Sequence, residues 1–157
     1  MLGYYKDEKA TKSAFTHDMK NFENNGWFKT GDIGYIDNDG YIFITGRKKN
    51  VIILSNGKNV FPEELEEHLS HCELIKESVV IGRKSEVTGE VAITALIHPD
   101  YEKLEGKSDD EVLAIIKDAV NEINRSLPAF KHVSEVEIMK EEFEKTTSKK
   151  IKRYLYK

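Results

Sequence analysis

Three short runs in this chain carry residue types that can work on a charged ligand. Trp27-Phe28-Lys29-Thr30-Gly31-Asp32 ends on a carboxylate, and Gly46-Arg47-Lys48-Lys49-Asn50 sets a guanidinium beside two lysines. Lys145-Thr146-Thr147-Ser148-Lys149-Lys150-Ile151-Lys152-Arg153 places a lysine on a hydroxyl-rich loop ahead of a short basic segment. A lysine on such a loop is a compact, movable point charge that can meet a phosphate or a carboxylate, while Arg47 offers a planar donor fork and Asp32 an acceptor for a diol. Taken together the three residue types suit a nucleotide.

The elements around these runs can be read from local pattern. Asp7 caps a short helix through Phe15, and a polar stretch from His17 to Asn25 leads to Trp27. Ile33 to Asp37 and Tyr41 to Thr45 read as two strands around Asn38-Asp39-Gly40, so that Asp32 and Arg47 flank one hairpin. A second hairpin runs from Val51 to Ser55, turns at Asn56-Gly57 and returns through Lys58-Asn59-Val60. Pro62 suits the first turn of a helix whose Glu63 and Glu64 face the positive end of its dipole and whose Leu65, Leu69 and Cys72 make one apolar face.

Ser78 to Gly82 and Val91 to His98 are apolar and β-rich, the second nearly continuous, and both are expected as central strands. Ser108 with Glu111 forms a capping-box pattern, and Val112, Ile115, Ile116, Ala119, Val120, Ile123 and Leu127 recur at helical spacing until Pro128. Val133 to Met139 reads as a strand and Ile151 to Lys157 as a short terminal helix. From Val51 onward the pattern is a small α+β domain, a few-stranded sheet with packed helices plus hairpins.

Composition narrows the function classes. The 157 residues allow one domain, or one domain with an appendage, and a real core. A formal net charge of −4 argues against bulk nucleic-acid binding. Cys72 is the only cysteine, so no intrachain disulfide can form. No apolar run reaches membrane-spanning length, and the start Met1-Leu2-Gly3-Tyr4-Tyr5-Lys6 lacks a signal peptide's apolar core; the expectation is a cytoplasmic protein without a transmembrane segment, compatible with peripheral contact at membranes.

The three ordered motifs resemble those of the adenylate-forming, AMP-binding superfamily: acyl-CoA synthetases, luciferases and the adenylation domains of peptide synthetases. The resemblance covers nearly the whole chain and corresponds to the C-terminal portion of such an enzyme. It implies that Asp32 binds the ribose hydroxyls, that Arg47 reaches ribose or phosphate, that Lys49 is the hinge and that Lys150 is the adenylation lysine. It also implies that the hairpin at Gly57 faces CoA in a second half-reaction, where a missing side chain leaves room for the pantetheine arm. A glycine commonly precedes the adenylation lysine in this family. Lys149 stands there instead, and Gly reaches dihedrals that Lys resists.

By this resemblance residues 1–48 are the tail of a large N-terminal AMP-binding domain, contributing a helix and the ribose-contacting hairpin, and residues 49–157 are the mobile C-terminal domain. The phosphate loop and acyl pocket of the family are not in the chain, so it reads as a fragment whose partner is the missing large domain. The implied substrates are a carboxylic acid, ATP with Mg2+, and CoA, none expected to bind the fragment tightly, and the isolated fragment is expected to be inactive. The run Asn56-Gly57-Lys58-Asn59-Val60-Phe61-Pro62-Glu63-Glu64 looks most like long-chain fatty acid:CoA ligases. Self-association through residues 1–48 is expected, because a lone hairpin needs something to pack on.

Other readings of the same residues stay open. Asp32 can be a strand-end carboxylate and Lys48 a solvated hairpin charge. His68, His71 and Cys72 read as surface and core helix positions rather than metal ligands, since no second cluster converges on them, and no metal site is expected. The six cations and no acid between Lys145 and Lys157 could form a tail for an anionic membrane or nucleic acid. At the level of the whole protein the alternatives are an adenylation domain that loads a carrier protein and a non-enzymatic binding module that uses the basic tail.

Overall fold

The computed structural model describes residues 2–16, 27–85 and 89–156. The polar stretch His17 to Asn25 lies outside them. The chain divides into two compact units, Met1–Lys49 and Asn50–Lys157.

In the first unit, helix α1 (Glu8–Ala14) starts where Asp7 accepts a hydrogen bond from the Ala10 N–H at 2.8 Å. Strands β1 (Asp32–Ile36) and β2 (Ile42–Arg47) form the expected antiparallel hairpin. Its turn is closed by Asp37, whose carboxylate accepts from the Asp39 and Tyr41 N–H groups. A bulge between Ile33 and Gly34 puts Gly34 so near Phe43 that a Cβ there would lie 2.3 Å from the Phe43 carbonyl oxygen; only glycine fits. Little of this unit is covered. Among its described residues Phe15 is the one buried large hydrophobic, packed edge-on against Phe28, while Trp27, Tyr35, Ile36, Tyr41, Ile42, Phe43 and Ile44 are exposed.

The second unit is an α+β layer structure, as the pattern predicts. Strand β3 (Ile52–Ile53) pairs with β4 (Asn59–Val60), a shorter hairpin than Val51 to Val60 suggests. Helix α2 (Pro62–Ser70) opens on Pro62 and buries Leu65 and Leu69. Cys72 falls beyond the helix end at His71, yet still packs against the core. Strands β5 (Ile75–Lys84) and β6 (Val91–Pro99) are antiparallel, and β7 (Glu135–Ile138) joins β6 in parallel. Helix α3 (Asp109–Arg125) carries the full capping box of Ser108 and Glu111 and buries Val112, Ile116 and Val120.

The order β5-β6-β7 makes β6 the central strand, and it is buried from Ile93 to Pro99. β5 is an edge, contrary to the expectation of two central strands. An apolar run can lie at an edge when side chains close the open backbone row, and here they do: the Val80 N–H donates to Glu66 Oε1 at 2.6 Å and the Val80 carbonyl accepts from Arg153 Nη1 at 2.9 Å.

Side-chain alternation sends the two faces of this sheet into two clusters. Val80, Ile93, Ala95 and Ile97 meet α2, α3 and the β3–β4 hairpin. Val79, Ile81 and Leu96 meet Phe143, with Met139, Ile151 and Tyr156 against them. The second face is therefore covered by the C-terminal segment. That segment is not the expected helix from Ile151 to Lys157: Ile151 forms a single β-bridge with Lys145, and only Arg153–Tyr156 turn, as 3-10 helix. Packing Ile151 and Tyr156 on the sheet while tying Arg153 to β5 leaves no room for a regular α-helical turn through Ile151.

Candidate functional site

The hairpin of the first unit brings Asp32 and Arg47 together. They are register partners across β1 and β2, and Arg47 Nε lies 2.8 Å from Asp32 Oδ1. Arg47 Nη1 also donates to the Thr30 carbonyl at 3.2 Å, and Thr30 Oγ1 accepts from the Asp32 N–H at 3.1 Å. The Thr-Gly-Asp run is thus folded onto the arginine by its own hydroxyl and backbone. Asp32 is about three-quarters covered while Arg47 is half exposed, so the pair presents a preset carboxylate and a cationic fork with donors to spare. Lys49 ends the first unit, after Lys48 donates its N–H to the Gly31 carbonyl.

Lys150 stands on a tight loop in the second unit. Thr146 organises this loop: its N–H donates to the Lys150 carbonyl at 2.8 Å, its carbonyl accepts from Lys149 at 2.9 Å, and its hydroxyl accepts from the Lys150 N–H at 3.2 Å while meeting Ser148 Oγ at 2.9 Å. The hydroxyl-rich run therefore makes backbone geometry rather than a ligand shell. Lys149 takes φ +60°, the left-handed conformation that glycine adopts without strain, so the loop keeps its shape despite the side chain.

The cations around this loop divide sharply by role. Lys145 pairs with Glu77 and Glu142, Lys152 with Glu144 and Arg153 with Glu66. Lys150 is exposed and, among the described residues, its ammonium meets no carboxylate. A basic tail for nucleic acid or membrane would leave its cations free. Here half of the six are engaged inside the protein.

The Gly57 hairpin is a third, separate site in the second unit. Gly57 takes φ +77°, and a Cβ at this position would meet nothing within 4 Å. The hairpin is held beside it rather than through it: Lys58 Nζ lies 4.3 Å from the centre of the Phe130 ring, and the neighbouring Lys131 is clamped by both oxygens of Glu64 at 2.7 and 2.8 Å. Asn56 Oδ1 accepts from the Lys58 N–H at 3.0 Å and closes the turn.

The profile of the AMP-binding enzyme C-terminal domain matches residues 49–156, more than two-thirds of the chain. The chain belongs to this family. Among its relatives, a long-chain-fatty-acid–CoA ligase of Mycobacterium tuberculosis is 35% identical over 96% of this chain and 26% of its own length. A 2-succinylbenzoate–CoA ligase of Listeria monocytogenes is 34% identical over 96% of this chain and 28% of its own. Among solved structures, ATP-bound MatB from Rhodopseudomonas palustris superposes with a TM-score of 0.71 at 29% identity, covering 98% of this chain and 27% of that one. The chain spans about a quarter of the length of the curated relatives it matches.

Two features of this AMP-binding C-terminal domain carry no signature in the sequence. Glu66 and Arg153 meet across 87 residues, with side chains only 18% and 19% exposed. Burial pushes the Glu66 carboxyl above its ordinary value, against the pull of Arg153 and of the Val80 N–H. Asn124, on α3, is the other: it reads both the N–H and the carbonyl of Val133 at 2.9 Å and so sets the start of β7. Nothing in the spacing of polar residues points to either contact. Among the described residues no group of three or more His, Cys, Asp or Glu side chains could hold a metal ion, and no helix is long and apolar enough to cross a membrane.

Proposed function

We propose that this chain is the C-terminal portion of an ATP-dependent acid:CoA ligase. The observation that carries the reading is the exposed Lys150 ammonium on a loop whose flanking cations Lys145, Lys152 and Arg153 are held in ion pairs, in a domain of the AMP-binding family. In the first half-reaction a carboxylate attacks the α-phosphorus of ATP, forming acyl-AMP and releasing pyrophosphate. Lys150 bridges the attacking carboxylate and the α-phosphate, where negative charge gathers in the in-line transition state. Asp32 accepts from the ribose hydroxyls, and Arg47 donates to ribose or phosphate.

In the second half-reaction the CoA thiol attacks the acyl carbonyl and AMP leaves. On this reading residues 49–157 rotate about Lys49, withdrawing Lys150 and presenting the Gly57 hairpin, whose open side gives the pantetheine arm a passage. Residues 1–48 are the tail of a large domain that supplies the phosphate loop, the acyl pocket and most of the ligands of the Mg2+ that accompanies ATP. The finer proposal is a cytoplasmic fatty acid ligase. It rests on the run from Asn56 to Glu64 and on the Mycobacterium tuberculosis relative, with the 2-succinylbenzoate ligase as the competing acid class.

The test uses the full ligase with this C-terminal portion. Lys150→Ala should slow acid-dependent ATP–pyrophosphate exchange by about a hundredfold to a thousandfold, the effect of removing one charge contact to a transition state. Thioester formation from supplied acyl-AMP should persist. Equal loss of the two half-reactions sinks the assignment, and a panel of fatty and aromatic acids decides the acid class.

A further inference from the structure

The loop that carries Lys150 has few contacts of its own with the sheet. Between Thr146 and Lys150 its hydrogen bonds are internal, from Thr146 to Lys149 and Lys150, while at its base Glu144 donates its N–H to the Tyr156 hydroxyl and its carbonyl accepts from the Lys152 N–H; residues 144–150 are exposed. Its direction is set where it enters and where it leaves. On entry, Phe143 is buried on the sheet and Lys145 pairs with Glu77 and Glu142. On exit, Ile151 packs on the sheet and Arg153 drives its guanidinium onto the open edge of β5.

The exit contact differs in kind from the entry contact. An ammonium such as Lys145 is a point charge that tolerates many directions, whereas a guanidinium is a planar fork that fixes one. Arg153 uses both prongs: Nη1 donates to the Val80 carbonyl at 2.9 Å and Nη2 meets Glu66. Glu66 completes the ring by accepting from the Val80 N–H at 2.6 Å. Three segments, α2, β5 and the C-terminal run, are thereby locked at one point three residues from Lys150.

A desolvated ion pair is a poor choice for stability alone, because apolar side chains of similar volume would close the same gap without stripping two charges of water. What the pair supplies is direction. We propose that Arg153, anchored by Glu66, is a positioning residue that aims the Lys150 loop for adenylation. The proposal rests on the assignment of Lys150 above, but its structural half can be measured without it.

In the 157-residue chain, Arg153→Met should raise amide hydrogen exchange at Thr146, Lys149 and Lys150 by about tenfold to a hundredfold, the size of losing hydrogen bonds to a charged group. Exchange at Leu96 and Ile97 in β6 should stay unchanged, and Arg153→Lys should recover part of the protection. In the full ligase, Arg153→Met should lower kcat for adenylation with little change in KM and spare thioester formation from supplied acyl-AMP. If Arg153→Met melts too low for exchange, Glu66→Gln carries the same prediction, since it keeps an acceptor for Val80 and removes only the charge. Unchanged loop exchange, a rise shared equally by β6, or equal slowing of both half-reactions overturns the proposal. Lys150→Ala without effect on adenylation would instead sink the assignment of the lysine, leaving the exchange result to judge the anchor.

Discussion

The two units solve the problem of covering apolar side chains in opposite ways. In Asn50–Lys157 the sheet is sandwiched: α2 and α3 close one face and the C-terminal segment closes the other, so Leu65, Leu69, Val80, Ala95, Ile97 and Ile116 are at most 1% exposed. In Met1–Lys49 a helix of 7 residues and a two-stranded hairpin leave Trp27 at 65%, Tyr41 at 69% and Ile42 at 73% exposure. Tyr35 and Phe43 stack with ring centres 5.1 Å apart, yet remain in water. The second unit carries its own core, while the first carries the Asp32–Arg47 ion pair on a hairpin that lacks one. The Asp32–Arg47 pair proposed to meet the nucleotide thus sits in a unit with little buried apolar surface of its own.

The sharpest way to break this contrast is by truncating matched side chains. Leu69→Ala should cost about 2–5 kcal/mol, because it opens a cavity in a packed core, whereas Ile42→Ala should stay within about 0.5 kcal/mol in the dilute monomer, where its surroundings are solvent. Chemical denaturation of the dilute chain, followed by far-UV circular dichroism, which reports both units, checks both. Equal effects at that dilution would mean that the hairpin's apolar face is covered in the monomer as well.

Association follows from the same difference. The 157-residue chain should form oligomers through its exposed hairpin face, and a chain starting at Lys49 should be monomeric and folded. Static light scattering with circular dichroism separates the outcomes. A monomeric long chain, or an unfolded short one, would tie residues 1–48 to the core of the second unit.

The caps of the second unit add a pH signature. Hydrogen bonds from the Ser108 backbone and then its side chain hold the Glu111 carboxyl below its ordinary value. Its folded pKa is depressed, so its contribution to stability is present above the ordinary carboxylate value and is lost as pH falls through the folded one. The stability difference between the chain and Glu111→Gln should therefore shrink on acidification below that value. A difference that persists unchanged through that window would assign the effect to something other than ionisation.

The smallest effect is expected at Lys149. A left-handed non-glycine residue carries about 1–2 kcal/mol of strain, and glycine returns about 0.4–1 kcal/mol through the greater freedom of the unfolded chain. Lys149→Gly should therefore gain a few tenths to about 1 kcal/mol, read as a rise in melting temperature. A loss would show that the Lys149 side chain makes its own contribution to the loop.

Much of this was legible in order and spacing. The capping box at Ser108, Asp7 ahead of α1, Pro62 at the start of α2 and both hairpins act through neighbours within a few residues, so local pattern suffices to place them. The same locality brings Asp32 and Arg47 to one end of a hairpin, but their direct pairing needs the bulge between Ile33 and Gly34, since the register set by the turn alone would place Asp32 opposite Gly46. The edge position of β5 and the irregular C-terminal run were not legible. Both depend on whether a distant segment arrives to close an open backbone row, and periodicity says nothing about that.

The sequence by itself determined most of the elements, the hairpin turns and the residue types available for chemistry, since these follow from side-chain period, turn residues and caps. Tertiary structure alone decided which of the C-terminal cations remain available. Lys145, Lys152 and Arg153 are bound by Glu77, Glu144 and Glu66 while Lys150 is left exposed, and three of those four residues look alike in a string of letters. The physical reason is that a charge finds its partner through space. The parallel joining of β7 to β6 and the closure of the β5 edge by Glu66 and Arg153 bring those partners within reach.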